Sequence, residues 1–184
     1  MLNFSRNHFD LFGLPLTFGV DLDDLADRYR SLCQNLHPDR FASAGDREKR
    51  LSMQATALVN EAYQTLKDPL ARGRYLLSLR SGAPEDPQQT TRDMAFLMEQ
   101  LELRENLSGI RQQPHPHEAV EALKRRLLVQ YHQLVGELAQ RLEDDSDPAL
   151  DEARELIRKL QFVRKCQSEV TELEEQLDEA LCAP

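Results

Sequence analysis

Tryptophan is absent from this sequence, glycine occurs only 7 times in 184 residues, and cysteine three times. Scarce glycine, 30% charged residues and long stretches free of turn residues point to an all-α chain. Cys33, Cys166 and Cys182 are odd in number and widely scattered, which fits neither a disulfide framework nor a metal knuckle. Reduced thiols in a cytoplasmic protein are the expectation. No segment approaches the roughly 20 consecutive apolar residues that a membrane span requires. Met1 to Asp10 lacks the apolar core of a secretory signal, and no transit peptide is expected. A basic excess is missing too. Residues 1–80 carry 11 Lys+Arg against 10 Asp+Glu, whereas residues 81–184 carry 12 against 22. Phosphate-backbone binding needs clustered Lys and Arg, so nucleic acid is an unexpected partner.

What is present is helical periodicity. Phe9-Asp10-Leu11-Phe12-Gly13-Leu14-Pro15 reads as a short apolar turn or helix stopped by Gly and Pro, with Phe9, Phe12 and Leu14 as core wedges. Asp21 suits an N-cap, and Leu22, Leu25, Tyr29, Leu32 and Leu36 follow as one apolar stripe with Cys33 on the same side. Asp27, Arg28, Arg30, Ser31 and Gln34 face outward. The segment Asn35-Leu36-His37-Pro38-Asp39-Arg40-Phe41 interrupts this pattern, because a proline cannot continue a helix interior and pushes its predecessor out of the α region. Ser43 to Asp46 offer a new start, and Leu51, Ala55, Leu58, Ala62 and Leu66 form a second stripe, widened by Val59 and Tyr63. Two such stripes joined by a short loop describe an antiparallel helical hairpin. Asp68-Pro69 ends the second helix, and Leu70 to Leu79 supply a third, with Tyr75, Leu76 and Leu79 as buried candidates.

Ser81-Gly82-Ala83-Pro84-Glu85-Asp86-Pro87 is the clearest break, and the charge balance changes across it. The expected division is residues 1–80, a linker over 81–92, and a three-helix bundle over 93–184. Asp93 caps the first bundle helix, which runs to about Ser108. The second runs from about His117 to Leu142, and Asp147-Pro148 opens a third that ends near Leu181. The first of these has two apolar faces. At about 100° per residue, Met94, Leu97, Met98 and Leu101 gather on one side and Phe96, Leu103, Leu107 and Ile110 roughly opposite. An edge helix needs only one face to bury. The second therefore either seals the joint between the domains or awaits a partner, and methionine suits an adaptable contact. Met94, nearest the linker, is the structural member of that face.

Leu25-x-x-x-Tyr29-x-x-Leu32, His37-Pro38-Asp39, Asn60-Glu61-Ala62-Tyr63-Gln64-Thr65-Leu66, Asp68-Pro69, Arg72 and Tyr75 together resemble a J domain. Residues Thr91 to Glu105 and Arg158-Lys159-Leu160-Gln161-Phe162 resemble the C-terminal domain of HscB-type co-chaperones of iron–sulfur cluster assembly. The resemblance implies a protein whose J domain stimulates the ATPase of a DnaK-like chaperone, HscA. Its C-terminal bundle would hold the iron–sulfur scaffold protein IscU and deliver it. It also implies that His37, Pro38 and Asp39 meet the chaperone. Arg28, Arg30 and Arg40 flank that loop and suit an acidic surface, although Asp27, Ser31 and Gln34 interrupt the basic face. Leu97, Met98, Leu101, Glu102, Glu105 and Phe162 match positions that the family uses for the scaffold. Phe162 also falls off the stripe of Ala153, Ile157 and Leu160.

The alternative is a general J-domain adaptor whose bundle binds a different client. His37 and Asp39 could form an acid–base pair, but no nucleophile motif or phosphate loop accompanies them, so no enzyme and no cofactor are expected. His115 and His117 alternate in a proline-rich loop without a carboxylate cluster and read as solvated. Arg125, Arg126, Lys159, Arg164 and Lys165 read as solvated faces of the bundle. A monomer is expected.

Overall fold

The computed structural model describes residues 7–36, 45–82, 91 and 93–182. Every element among them is helical, and they belong to two compact units, residues 1–83 and 84–184.

The first unit begins with α1 (His8–Phe12), a single turn that closes at both ends. The Asn7 side chain accepts the Asp10 N–H at 2.9 Å, and Gly13 turns the chain out with φ 63°. Phe9 and Phe12 are buried. In α2 (Leu22–Leu36) the Asp21 carboxylate accepts the N–H groups of Asp23 and Asp24 at 2.9 and 3.1 Å. α3 (Asp46–Lys67) packs against it, with the Tyr29 and Tyr63 rings stacked 4.1 Å apart and the Tyr29 hydroxyl donating to Asn60 Oδ1. At the end of this pair where the chain passes from α2 to α3, Ser52 Oγ donates to the Leu36 carbonyl at 2.8 Å. α4 (Pro69–Ser81) starts with Pro69 at the N-terminal position, where its missing N–H costs nothing, and with Asp68 accepting the Ala71 N–H. Arg72 is buried, donates to the Leu66 carbonyl at 2.6 Å and lies over the Phe18 ring.

Several expectations change here. The buried line of α3 runs through Ser52, Ala55, Val59, Ala62 and Leu66, while Leu51 is exposed and Leu58 half-buried. Ser52 therefore takes the place in the seam that Leu51 was expected to hold, while Ala55, Ala62 and Leu66 are buried as expected. Leu22 is exposed because it lies in the first turn of α2, where a helix has neighbours on one side only. Leu79 is exposed although the buried Arg72 and Leu76 lie on its side of α4, because it sits in the last turn of the helix. Cys33 and Leu14 are half-buried rather than core.

In the second unit, α5 (Met94–Gly109) leads through one 3-10 turn (Ile110–Gln112) to α6 (Pro116–Arg141) and α7 (Asp147–Cys182). The last two run antiparallel, as their ion pairs show: Lys124 meets Glu174 at 2.9 Å near one end, and Arg141 meets Glu152 at 2.6 Å near the other. Val120, Leu127, Leu138, Ile157, Leu160, Val163 and Val170 are buried between the helices. Asp147 is the first helical residue of α7 rather than its N-cap. Ser146 holds that position, its carbonyl accepting the Leu150 N–H at 3.0 Å while Asp144 accepts its N–H and hydroxyl.

Candidate partner-binding surfaces

The segment that breaks the hairpin, with His37, Pro38, Asp39 and Arg40, lies outside the described residues. Its two flanking arginines on α2 are in view, and neither is simply displayed. Arg28 Nε donates to both carboxylate oxygens of Asp24 at 2.9 Å, and its Nη1 donates to the carbonyls of Phe12 and Gly13 at 2.8 and 3.0 Å. The carboxylate raises the Arg28 pKa further. Arg28 thus ties the end of α1 to α2. Arg30 pairs with Asp27 one turn back, on the exposed side of the helix. Ser31 and Gln34, also exposed on α2, add polar but uncharged surface.

The C-terminal unit differs. Asp93 caps α5 by accepting the N–H groups of Ala95 and Phe96, and Phe96, Leu103 and Ile110 are buried at seven-residue spacing. That spacing turns the opposite side to solvent: Met94 is 70% exposed, Met98 56% and Leu101 53%. Leu97 is half-buried at the margin, and Glu102 and Glu105 are exposed. Met94, expected to be the structural member of this face, is the most exposed of them. Phe162 of α7 is half-buried, with its ring edge-on to Phe96 at 5.7 Å and 81°. Along the other flank, Glu99 accepts from Arg126 at 3.0 Å and from Gln130 at 3.2 Å, both on α6.

The expectation for Lys159 is corrected. Its ammonium donates to Asp93 Oδ2 at 2.6 Å and lies 5.4 Å from the Phe96 ring centroid, with only 20% of the side chain exposed. Lys159 and the caps of α5 hold the Asp93 carboxyl below its usual range. Thr91, also unforeseen, is buried. It donates to Glu155 Oε2 at 2.8 Å and accepts the Asp93 N–H at 3.2 Å. The only signal in the sequence for these roles is the i, i+4 placement of Glu155 and Lys159 on one helix face.

Elsewhere, His117 Nδ1 lies 3.6 Å from an Asp178 oxygen, and His115 is exposed. Cys166 is buried, and burial pushes its thiol up to about 11, which makes it a core residue rather than a reactive one. Among the described residues no helix is long and apolar enough to cross a membrane.

Comparison with known proteins adds an independent finding. A family model described as the HSCB C-terminal oligomerisation domain matches residues 92–171. The chain is 40% identical over 171 residues to the co-chaperone protein HscB homolog of Vibrio atlanticus (strain LGP32), covering 93% of this chain and 98% of that one. Among solved structures, chaperone HscB from Vibrio cholerae superposes with a TM-score of 0.83 at 38% identity, over 94% of this chain and 99% of that one. Human co-chaperone HscB gives a TM-score of 0.82 at 27% identity, over 94% and 84%.

Proposed function

Because this chain belongs to the HscB family of co-chaperones, we propose that it is a J-domain co-chaperone of iron–sulfur cluster assembly. In this reading the N-terminal unit stimulates the ATPase of a DnaK-like chaperone, HscA, through His37, Pro38 and Asp39, with Arg30 and Arg40 steering the encounter. The C-terminal unit holds the scaffold protein IscU on Leu97, Met98, Leu101 and Phe162, with Glu102 and Glu105 at the rim. The ATP chemistry belongs to the chaperone, and this chain catalyses nothing itself.

The observation that carries the reading is the outward face of α5. Three large apolar side chains at least half exposed on one helix face, beside two carboxylates, suit a partner with an apolar patch rimmed by basic residues. Burying Leu101 and Met98 would each contribute about 1–2 kcal/mol to such a contact. Tethering then supplies the mechanism. A client held by one unit meets the chaperone engaged by the other at an effective concentration of about millimolar, so hydrolysis is triggered with the client in place.

Arg28 takes a different part from the one its charge implies. With its guanidinium committed to Asp24 and to two carbonyls, its role in this reading is to hold α1 on α2, and Arg30 and Arg40 carry the steering.

The test is separation of the two activities. His37→Gln should abolish ATPase stimulation and leave scaffold affinity, measured by titration calorimetry, unchanged. Leu97→Ala with Phe162→Ala should do the reverse. Loss of both activities in either variant would argue against two independent surfaces. The matching family is described by oligomerisation, whereas a two-partner tether needs no self-association. A monomer in sedimentation equilibrium fits the tether, and a dimer disrupted by Met98→Glu would assign the α5 face to a second copy.

A further inference from the structure

We propose that Lys159 is a positioning residue for the α5 surface, registering the N-terminal turn of α5 against Phe162 on α7. The inference rests on the scaffold-binding reading above and deepens it.

Glu155, Lys159 and Phe162 stand at i, i+4 and i+7 on α7, so they form a row along one face. Each member of the row meets a different part of the start of α5. Glu155 accepts the Thr91 hydroxyl at 2.8 Å, just before the helix. Lys159 binds Asp93 Oδ2 at 2.6 Å, while the other oxygen of the same carboxylate caps Ala95 and Phe96 at 3.0 and 3.1 Å. The Lys159 ammonium also lies 5.4 Å from the Phe96 ring centroid, and that ring meets Phe162 edge-on. A single ammonium therefore fixes both the cap of α5 and the aromatic ring against which Phe162 rests. Phe162 and α5 are separate in sequence, and this row sets the height and rotation of α5, with its exposed residues, relative to Phe162.

A charge is not needed here for packing. The aliphatic stem of a methionine would cover Phe96 about as well, and a partly exposed ion pair adds little to stability. What the charge adds is direction. An ammonium with one carboxylate oxygen in reach defines the height and rotation of α5 in a way that apolar contact does not.

The experiment compares Lys159→Met and Lys159→Arg in the full chain, in the natural and the Phe162→Ala backgrounds. Scaffold affinity is read by calorimetry, and amide hydrogen exchange over residues 95–98 is followed beside it. The expected result for Lys159→Met is affinity weakened about fivefold or more. Its Tm should lie within about 3 °C of the natural chain, and exchange at the start of α5 should be faster. Lys159→Arg should restore affinity, because its guanidinium reaches the same carboxylate. In the Phe162→Ala background Lys159→Met should add no further loss. Natural affinity in Lys159→Met, or a loss that simply adds to that of Phe162→Ala, overturns the proposal. If the natural chain itself fails to bind the scaffold, the functional reading falls. Hydrogen exchange then decides the positioning claim alone, with unchanged exchange in Lys159→Met refuting it.

Discussion

The outward faces of α2 and α5 are built from opposite materials. On α2 the exposed arginines are already paired within the helix, Arg28 with Asp24 and Arg30 with Asp27, beside the polar Ser31 and Gln34. On α5 the exposed residues include Met94, Met98 and Leu101, large apolar side chains turned to solvent. A polar, ion-paired face meets a partner by exchanging one set of charge contacts for another. That gives steering and a steep dependence on salt rather than large net affinity. An apolar face gains by leaving water, which salt does not screen. One chain therefore carries a surface suited to brief, triggered contact and another suited to holding on.

Breaking the apolar side should have the largest effect. Leu101→Glu with Phe162→Ala places a charge in the patch and removes the ring that rests on Phe96, and scaffold affinity should fall at least about 100-fold. The far-UV circular dichroism and the melting temperature should stay close to those of the natural chain, because Leu101 is exposed and Phe162 half-buried.

Salt should sharpen the comparison. Raising ionic strength from about 0.05 to 0.5 M shortens the Debye length roughly threefold. The concentration of this protein needed for half-maximal ATPase stimulation should rise several-fold, while scaffold affinity changes less than about twofold. Equal salt dependence of the two would show that the faces do not differ in kind.

A third change acts on the fold beneath the charged face. Removing the Arg28 side chain takes away the ties to the Phe12 and Gly13 carbonyls, so Arg28→Ala should lower the melting temperature of the first unit by a few degrees, about 2–5 °C, measured by calorimetric melting. Lys at this position should recover only part of it, since one ammonium cannot hold Asp24 and both carbonyls in the same fork.

The smallest effect concerns pH. His8 stacks on Tyr75 at 4.2 Å, its backbone N–H donates to the Tyr75 hydroxyl, and its Nδ1 is buried without a partner. Burial lowers the His8 pKa, and the Glu61 charge offsets this only in part. A histidine depressed in the folded state takes up its proton in the unfolded chain first. Its contribution is therefore fully present above about pH 6.5, the ordinary histidine value, and declines as pH falls below it. The first unit should melt slightly lower at pH 5.5 than at 7.5, and His8→Gln should flatten that slope. The second unit should show no part of it.

How much of this was legible from residues alone follows a physical division. Local signals carried well: Asp21, Asp68 and Asp93 cap helices as their side-chain chemistry dictates, and Gly82 leaves α4 with φ 67°. The two faces of α5 were legible because apolar residues repeat at helical spacing on both. Contacts between distant residues were not. Lys159 and Asp93 are separated by 66 positions, and nothing near either one distinguishes a clamp from a solvated lysine. The seam of α3 was legible in part. Ala55, Val59, Ala62 and Leu66 lay on the stripe read from the sequence, but Ser52 is polar and buried by virtue of being small, while Leu51 and Leu58 are apolar and lie outside the seam. The His37-Pro38-Asp39 segment stood out in the sequence as a proline break between two helical stripes, and its resemblance to a family motif supplied its expected role.

The central claim is that one chain couples a chaperone's hydrolysis to a held client. Its most direct test is the steady-state ATPase of the DnaK-like chaperone with this protein, with the iron–sulfur scaffold, with both and with neither. The account predicts stimulation with both present that greatly exceeds the sum of the two single additions. Stimulation indifferent to the scaffold would leave the bundle with a different client, and no stimulation in any combination would contradict the account.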